Sequence, residues 1–110
     1  MAKDLKAARP AAQTLDRITP AHIEKYLATT KRAIAKCKLV APANSFAGKI
    51  AENFMDMAKR YHADAVHFHK QGDFINAFAT CNYAHGWLDA GARLGVFDVG
   101  GDDQLFTLLD

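Results

Sequence analysis

Apolar residues recur at helical spacing on both sides of Gly72-Asp73, which predicts two long helices over about 46–71 and 74–95 joined by a tight turn. On the first of them Ile50, Phe54, Met57, Ala58, Tyr61, Ala65 and Phe68 share one stripe, with Lys49, Glu52, Asp56, Lys59, Arg60, His67 and Lys70 on the polar side. A narrower stripe of Met55, His62, Val66 and His69 borders the first, so the apolar surface is wide. Gly72 suits the left-handed end of one helix and Asp73 the N-cap of the next, which gives both residues a structural role as the turn.

The helix after the turn is the least polar. Phe74, Phe78, Cys81, Leu88 and Ala92 form one stripe, and Tyr83, Trp87, Ala90 and Leu94 a second on roughly the opposite side. Two apolar faces need two covers. Earlier in the chain, Thr19-Pro20 reads as an N-cap and first helical residue, and Ile23, Tyr26, Leu27, Ala33, Ile34 and Cys37 carry a helix over about 20–38. Its pattern stops before Pro42, and Asn44 or Ser45 can cap the next helix. The expected fold is therefore all-α: a three-helix bundle built on a long antiparallel hairpin, in one domain over 19–110. Residues 1–18, rich in Ala and Lys and broken by Pro10, read as a flexible basic arm. The C-terminal Gly100-Gly101-Asp102-Asp103-Gln104-Leu105-Phe106 reads as a hinge and a short apolar turn. Folding back over Trp87 would cover the second face of the third helix; a homodimer or protein partner through Tyr83, Trp87 and Leu94 is the competing cover.

At 110 residues, half of them apolar, the chain fits one folded domain. No apolar run reaches the roughly 20 residues that span a bilayer, and the N-terminus lacks a secretory h-region, so a cytoplasmic protein without membrane contact is expected. Cys37 and Cys81 lie inside helical patterns without CxxC spacing and read as free buried thiols. Residues 1–38 carry +6 of charge and the remainder −4. The basic third invites nucleic acid, but Tyr26 is its only aromatic, and a solvated face is the plainer reading.

One constellation has chemical potential. Asn82, His85, Asp89 and Arg93 follow at spacings of three, four and four, forming a polar edge beside the core face. His85 and Asp89 are an i, i+4 pair, placed for a carboxylate to orient an imidazole. Pairing through the Gly72 turn brings the level of His62 near Asn82 and that of Met55 near Asp89, so His62, Asn82, His85, Asp89 and Arg93 form a candidate ligand site. The competing reading is structural, with Asp89 bound to His85 or Arg93 and holding the helices in register. No catalytic residue, metal site or cofactor is expected: the chain has no His-x-x-x-His and no Gly-rich phosphate loop, and its only Ser, Ser45, lies outside any nucleophile elbow. The chain is read foremost as a non-enzymatic protein-interaction or binding module, with a small-ligand or RNA-directed enzyme site on the His/Asp edge as the alternative.

The run of Tyr61, Asp64-Ala65, Gly72-Asp73, Tyr83-Ala84-His85-Gly86 and Leu88-Asp89-Ala90-Gly91 resembles the archaeal family known as domain of unknown function 357, over roughly Ile23 to Phe97. The resemblance implies a compact helical domain and assigns no catalytic residue. Arg60 and His67 are similar in spacing to the motif of small helical ribonuclease domains of the HEPN type. Gly72-Asp73-Phe74-Ile75-Asn76-Ala77-Phe78 looks like the turn of a tetratricopeptide hairpin, but no second copy appears at a period near 34.

Overall fold

A computed structural model describes residues 14–109, so most of the arm proposed at 1–18 lies outside the described residues. Three helices carry the fold: α1 (Pro20–Lys36), α2 (Phe46–Lys70) and α3 (Phe74–Leu94), with two short strands, β1 (Lys38–Leu39) and β2 (Phe97–Asp98). Each helix begins at a side-chain cap: Thr19 accepts from His22 N, Ser45 from Gly48 N and Asp73 from Asn76 N. At the hairpin turn Gly72 takes φ +77. There Asp73 N reaches back to Phe68 O at 2.9 Å, satisfying a carbonyl at the end of α2 while Asp73 starts α3.

The hairpin closes on small side chains. Gly48, Ala51, Met55, Ala58 and Ala65 are the buried residues of α2, and Ala77, Cys81, Ala84, Leu88 and Gly91 those of α3. The α3 set repeats at spacings of four and three, the period of an a/d seam, the α2 set does so up to Ala58 with a gap of seven before Ala65, and α2 with α3 forms the most extensive contact between elements. Such a seam lets two backbones approach closely, at the short end of the 8–10 Å range of helix pairs. Helix α1 lies along one side. Its Ile23 and Leu27 join Ala65, Ala77 and Cys81 near the turn, while Ala33 joins Ala51, Ala58 and Leu88 toward the other end. It therefore runs parallel to α3.

The chain after α3 seals the open end. Gly95 takes φ +85 and Val96 N bonds Gly91 O, and the chain then pairs β2 with β1 in antiparallel register, Lys38 with Asp98 and Leu39 with Phe97. Gly100 and Gly101 reverse it again, at φ +65 and +71, and the tail returns toward α3 with Phe106 buried among Leu88, Phe97 and Val99.

Several expectations need adjustment. The helices end one or two residues earlier than the pattern suggests, because Cys37 leaves α1 to enter β1 and Gly95 terminates α3. The core of α2 is centred between the two expected stripes: Met55 and the alanines are buried, whereas Ile50, Phe54, Met57, Tyr61 and Phe68 stand half-buried at the flank. A seam of alanines draws the backbones together and pushes the large side chains outward. Gly86 lies on the open side of α3. A Cβ there would meet nothing within 4 Å, whereas at Gly91 it would overlap the Phe97 ring.

These two glycines predict opposite outcomes. Gly91→Ala should lower stability by about 1–3 kcal/mol through overpacking against Phe97. Gly86→Ala should raise it by up to about 1 kcal/mol through helix propensity alone. Thermal melts in dilute solution check both signs; equal effects would contradict the packing described.

Candidate functional site

The polar edge of α3 holds the protein's own C-terminal segment. His85 Nε2 donates to Leu105 O at 2.7 Å, Asp89 Oδ1 accepts from Thr107 N at 2.9 Å, and an Arg93 amine donates to Leu108 O at 3.0 Å. Three side chains one helical turn apart thus grip three main-chain groups of the tail, with Phe106 between them as the buried anchor. The expected pair of His85 and Asp89 is loose, at 3.8 Å, because each has a nearer partner in the tail. Asp89 and Arg93 serve the tail rather than each other.

His85 also fixes a directional hydrogen-bond chain. A carbonyl oxygen only accepts, so Nε2 carries the proton, and Nδ1 of the neutral ring accepts from the Thr30 hydroxyl at 3.0 Å. Thr30, buried on α1, in turn accepts from Cys81 Sγ at 3.4 Å. Cys81, Thr30 and His85 thereby link the core to the tail, with every donor satisfied. Burial pushes the Cys81 thiol up, partly offset by Thr30. Cys37 is pushed up to about 11, first by burial and then by the negative charge of Asp89. At the hinge, Asp102 lies below its usual range because its carboxylate accepts the Leu105 N–H, with help from Gln104 N–H and Lys36.

His62 and Asn82 stand apart from this grip. His62 Nε2 donates to Leu27 O at 3.0 Å, tying α2 to α1 rather than facing α3. Asn82 is exposed and makes no side-chain hydrogen bond among the described residues. It borders a groove of about 280 Å³ between α1 and α3, with Tyr26, Thr29, His85 and Asp89 on the other walls. The candidate set is therefore divided: His85, Asp89 and Arg93 converge on the tail, Asn82 rims the groove beside them, and His62 serves the α1 contact.

The opposite flank of the hairpin is aromatic. Tyr61 meets Tyr83 edge-on with ring centroids 4.6 Å apart, Tyr83 meets Trp87 at 6.0 Å, and Trp87 meets Phe54 at 5.0 Å. Trp87 Nε1 is buried without a hydrogen-bond partner among the described residues, so the exposed part of this half-buried ring is hydrocarbon. Tyr83 and Leu94 are exposed. The tail does fold back, but its polar contacts are with His85, Asp89 and Arg93 on the edge toward α1, not with this flank.

Arg60 pairs with Asp56 at 3.0 Å on the exposed side of α2, and His67 is exposed on the same helix. In the basic third, Tyr26 is packed edge-on against Phe78 at 4.8 Å, which occupies the aromatic ring a nucleobase would stack on. Among the described residues no group of three His, Cys, Asp or Glu side chains is placed to hold a metal, and no helix is long and apolar enough to cross a membrane. Thr30 and the Leu105–Leu108 backbone are the partners that sequence reasoning missed. A threonine in a helical stripe carries no distance signal, and backbone acceptors have no sequence signature; the i, i+4 ladder of His85, Asp89 and Arg93 was the available clue.

Two outcomes follow. His85→Ala or Asp89→Ala should free residues 105–108, with amide exchange of that segment rising roughly fivefold for each hydrogen bond worth about 1 kcal/mol, while α2 and α3 keep their protection. Unchanged tail exchange would contradict the grip. Cys37 should react with iodoacetamide at neutral pH about 100-fold more slowly than a free thiol, from its smaller thiolate fraction, and Asp89→Asn should speed it. By linkage, the folded chain retains thiol protons that the unfolded chain has released, so this contribution to stability falls as pH rises from about 9 toward about 11. Denaturant midpoints across that window give the sign.

No curated protein and no solved structure matches the chain. The family model described as "Protein of unknown function (DUF357)" matches residues 25–97, from early α1 through β2 and so across the whole hairpin, and the chain belongs to that family.

Proposed function

We propose that the protein is a non-enzymatic interaction module whose working surface is the outer flank of α3, centred on Tyr83, Trp87 and Leu94. One observation carries this reading: α3 is apolar on two sides, and while α1 and α2 bury the inner one, the described chain leaves Tyr83, Ala90 and Leu94 of the outer one exposed and Trp87 half-buried. The aromatic row gives the outer side a rigid contact surface, the kind that concentrates binding energy at interfaces. Chemistry at the polar edge is disfavoured because His85 already spends both ring nitrogens on Thr30 and the tail, and Asp89 one carboxylate oxygen on the tail. In this reading the module works in the cytosol, where the free Cys37 and Cys81 stay reduced.

A second reading keeps a small-ligand or RNA-directed enzyme site on the groove between α1 and α3. The unengaged Asn82 beside His85 is its support.

Affinity capture of the tagged chain separates the two. Trp87 is a poor probe, since truncating it also strips Phe54 of its ring contact. Leu94, 59% exposed, is a better one. Leu94→Glu should lose the bound protein with an unchanged melting temperature, and Asn82→Ala should retain it. Loss of RNA or a metabolite with Asn82→Ala alone would favour the groove instead.

A further inference from the structure

The outer surface of α3 has an internal symmetry that its partner must match. Ile75, Ala79, Tyr83, Gly86, Ala90 and Leu94 are all exposed and lie on one side of the helix. Their spacings are four, four, three, four and four, so the series reads the same from either end, about a point between residues 84 and 85. Reflection through that point exchanges Ile75 with Leu94, Ala79 with Ala90 and Tyr83 with Gly86. Large apolar side chains, 75% and 59% exposed, fall opposite each other at the ends, and alanines fall opposite alanines. At the centre an exposed tyrosine falls opposite a glycine.

From this pattern we infer that the outer surface of α3 is the interface with a second copy of this chain, docked antiparallel about a two-fold axis beside residues 84–85. The inference rests on reading this surface as the working one and names its occupant. In a two-fold contact residue i meets j and j meets i, and the exchanges above satisfy that condition at every position.

A separate observation agrees with the central pair. The surface over Gly86 holds a hollow of about 300 Å³ whose walls include Tyr83, Trp87 and Ala90. Residues 83, 86, 87 and 90 are the i, i+3, i+4 and i+7 outline that receives one side chain from a facing helix. Tyr83 of each copy would fill the hollow of the other. A glycine here costs about 1 kcal/mol relative to alanine, and no contact within the chain explains it, since a Cβ at Gly86 would meet nothing within 4 Å.

Charge and size also favour a second copy. None of the six residues of the outer row carries a formal charge, so the row itself offers nothing to pair with an acidic or basic partner. The first 13 residues would be a poor cover, having only Met1 and Leu5 as large apolar side chains among Lys3, Asp4, Lys6 and Arg9. Helix α3, with 21 residues, is about 30 Å long. A standard specific interface takes roughly 800 Å² per copy, so the neighbouring flank of α2 would contribute beside α3. The product is a four-helix layer made of two hairpins.

Sedimentation equilibrium of the full chain tests this, with circular dichroism to confirm folding. The expected species is a dimer of 12.1 kDa chains. Ala90→Glu, at an exposed position, should weaken association at least about tenfold. Adding Ala79→Lys to the same chain should restore most of it, because the lysine introduced at 79 then faces the glutamate introduced at 90 across the axis. The two positions are eleven residues apart on one helix, too far to pair within a chain. A single monomeric species up to about 1 mM overturns the inference, as does a dimer indifferent to Ala90→Glu, or a loss that Ala79→Lys does not repair. If the chain is monomeric while Leu94→Glu still loses a different bound protein, the second copy is refuted and the interaction surface stands.

Discussion

The structure depends on the close approach of α2 and α3 along Ala51, Ala58 and Ala65 on one side and Ala77, Ala84 and Gly91 on the other. Alanine brings little apolar area of its own, so such a seam works by shortening the distance between helices and packing backbone against backbone. The consequence is geometric. Apart from Met55 and Leu88, the large side chains lie on the two flanks of the hairpin. On one flank Ile23 and Leu27 of α1 cover Val66, Phe68, Phe74 and Phe78; on the other Phe54, Tyr61, Tyr83 and Trp87 pack on one another. A core of larger residues would have drawn these aromatics inward and left one apolar face instead of two.

The same economy governs the polar groups of α3. Its His85, Asp89 and Arg93 lie one turn apart and each meets a main-chain atom of residues 105–108. Main-chain recognition needs only a regular ladder of donors and acceptors, which an i, i+4 series provides, together with one buried side chain to set the register, here Phe106. The tail is thus attached by side chains to helix α3, while β1 and β2 and the Lys36–Asp102 pair at 3.9 Å anchor its beginning to the end of α1. This exposed ion pair adds little by itself. The firmer link is the buried Thr30, which joins α1 to His85 at the base of the groove between α1 and α3.

The fold was largely legible from sequence, and for identifiable reasons. Thr19, Ser45 and Asp73 are caps whose side chains do what their residue types predict, and Gly72-Asp73 combines the end of one helix with the start of the next. Hydrophobic periodicity gave the helices but misplaced their centres, since it weights Phe54 and Tyr61 above Ala51 and Ala58, whereas packing puts the smaller residues innermost. The candidate site was only partly legible. The ladder of His85, Asp89 and Arg93 could be seen, but its partners are backbone atoms of a distant tail. Levels along the hairpin were right, as Tyr61 beside Tyr83 shows, yet level alone does not say which shoulder of a helix a residue occupies. His62 and Asn82 share a level and face different neighbours.

Helix α3 therefore has three separate surfaces, and two have assigned partners within the chain. The inner seam faces α2, and the polar edge faces α1 and the tail. Electrostatics then bears on the third: no residue of the outer row from Ile75 to Leu94 carries a formal charge, so the partner proposed for it would be selected by shape rather than by charge pairing. Shape on a single helix is set by the order of large and small residues, so under that proposal selectivity would lie in the succession of Ile75, Ala79, Tyr83, Gly86, Ala90 and Leu94. One helix thus keeps its charged side chains and its exposed apolar row on different edges, with Asp89 and Arg93 bonded to the tail on one and Ile75 to Leu94 forming the other.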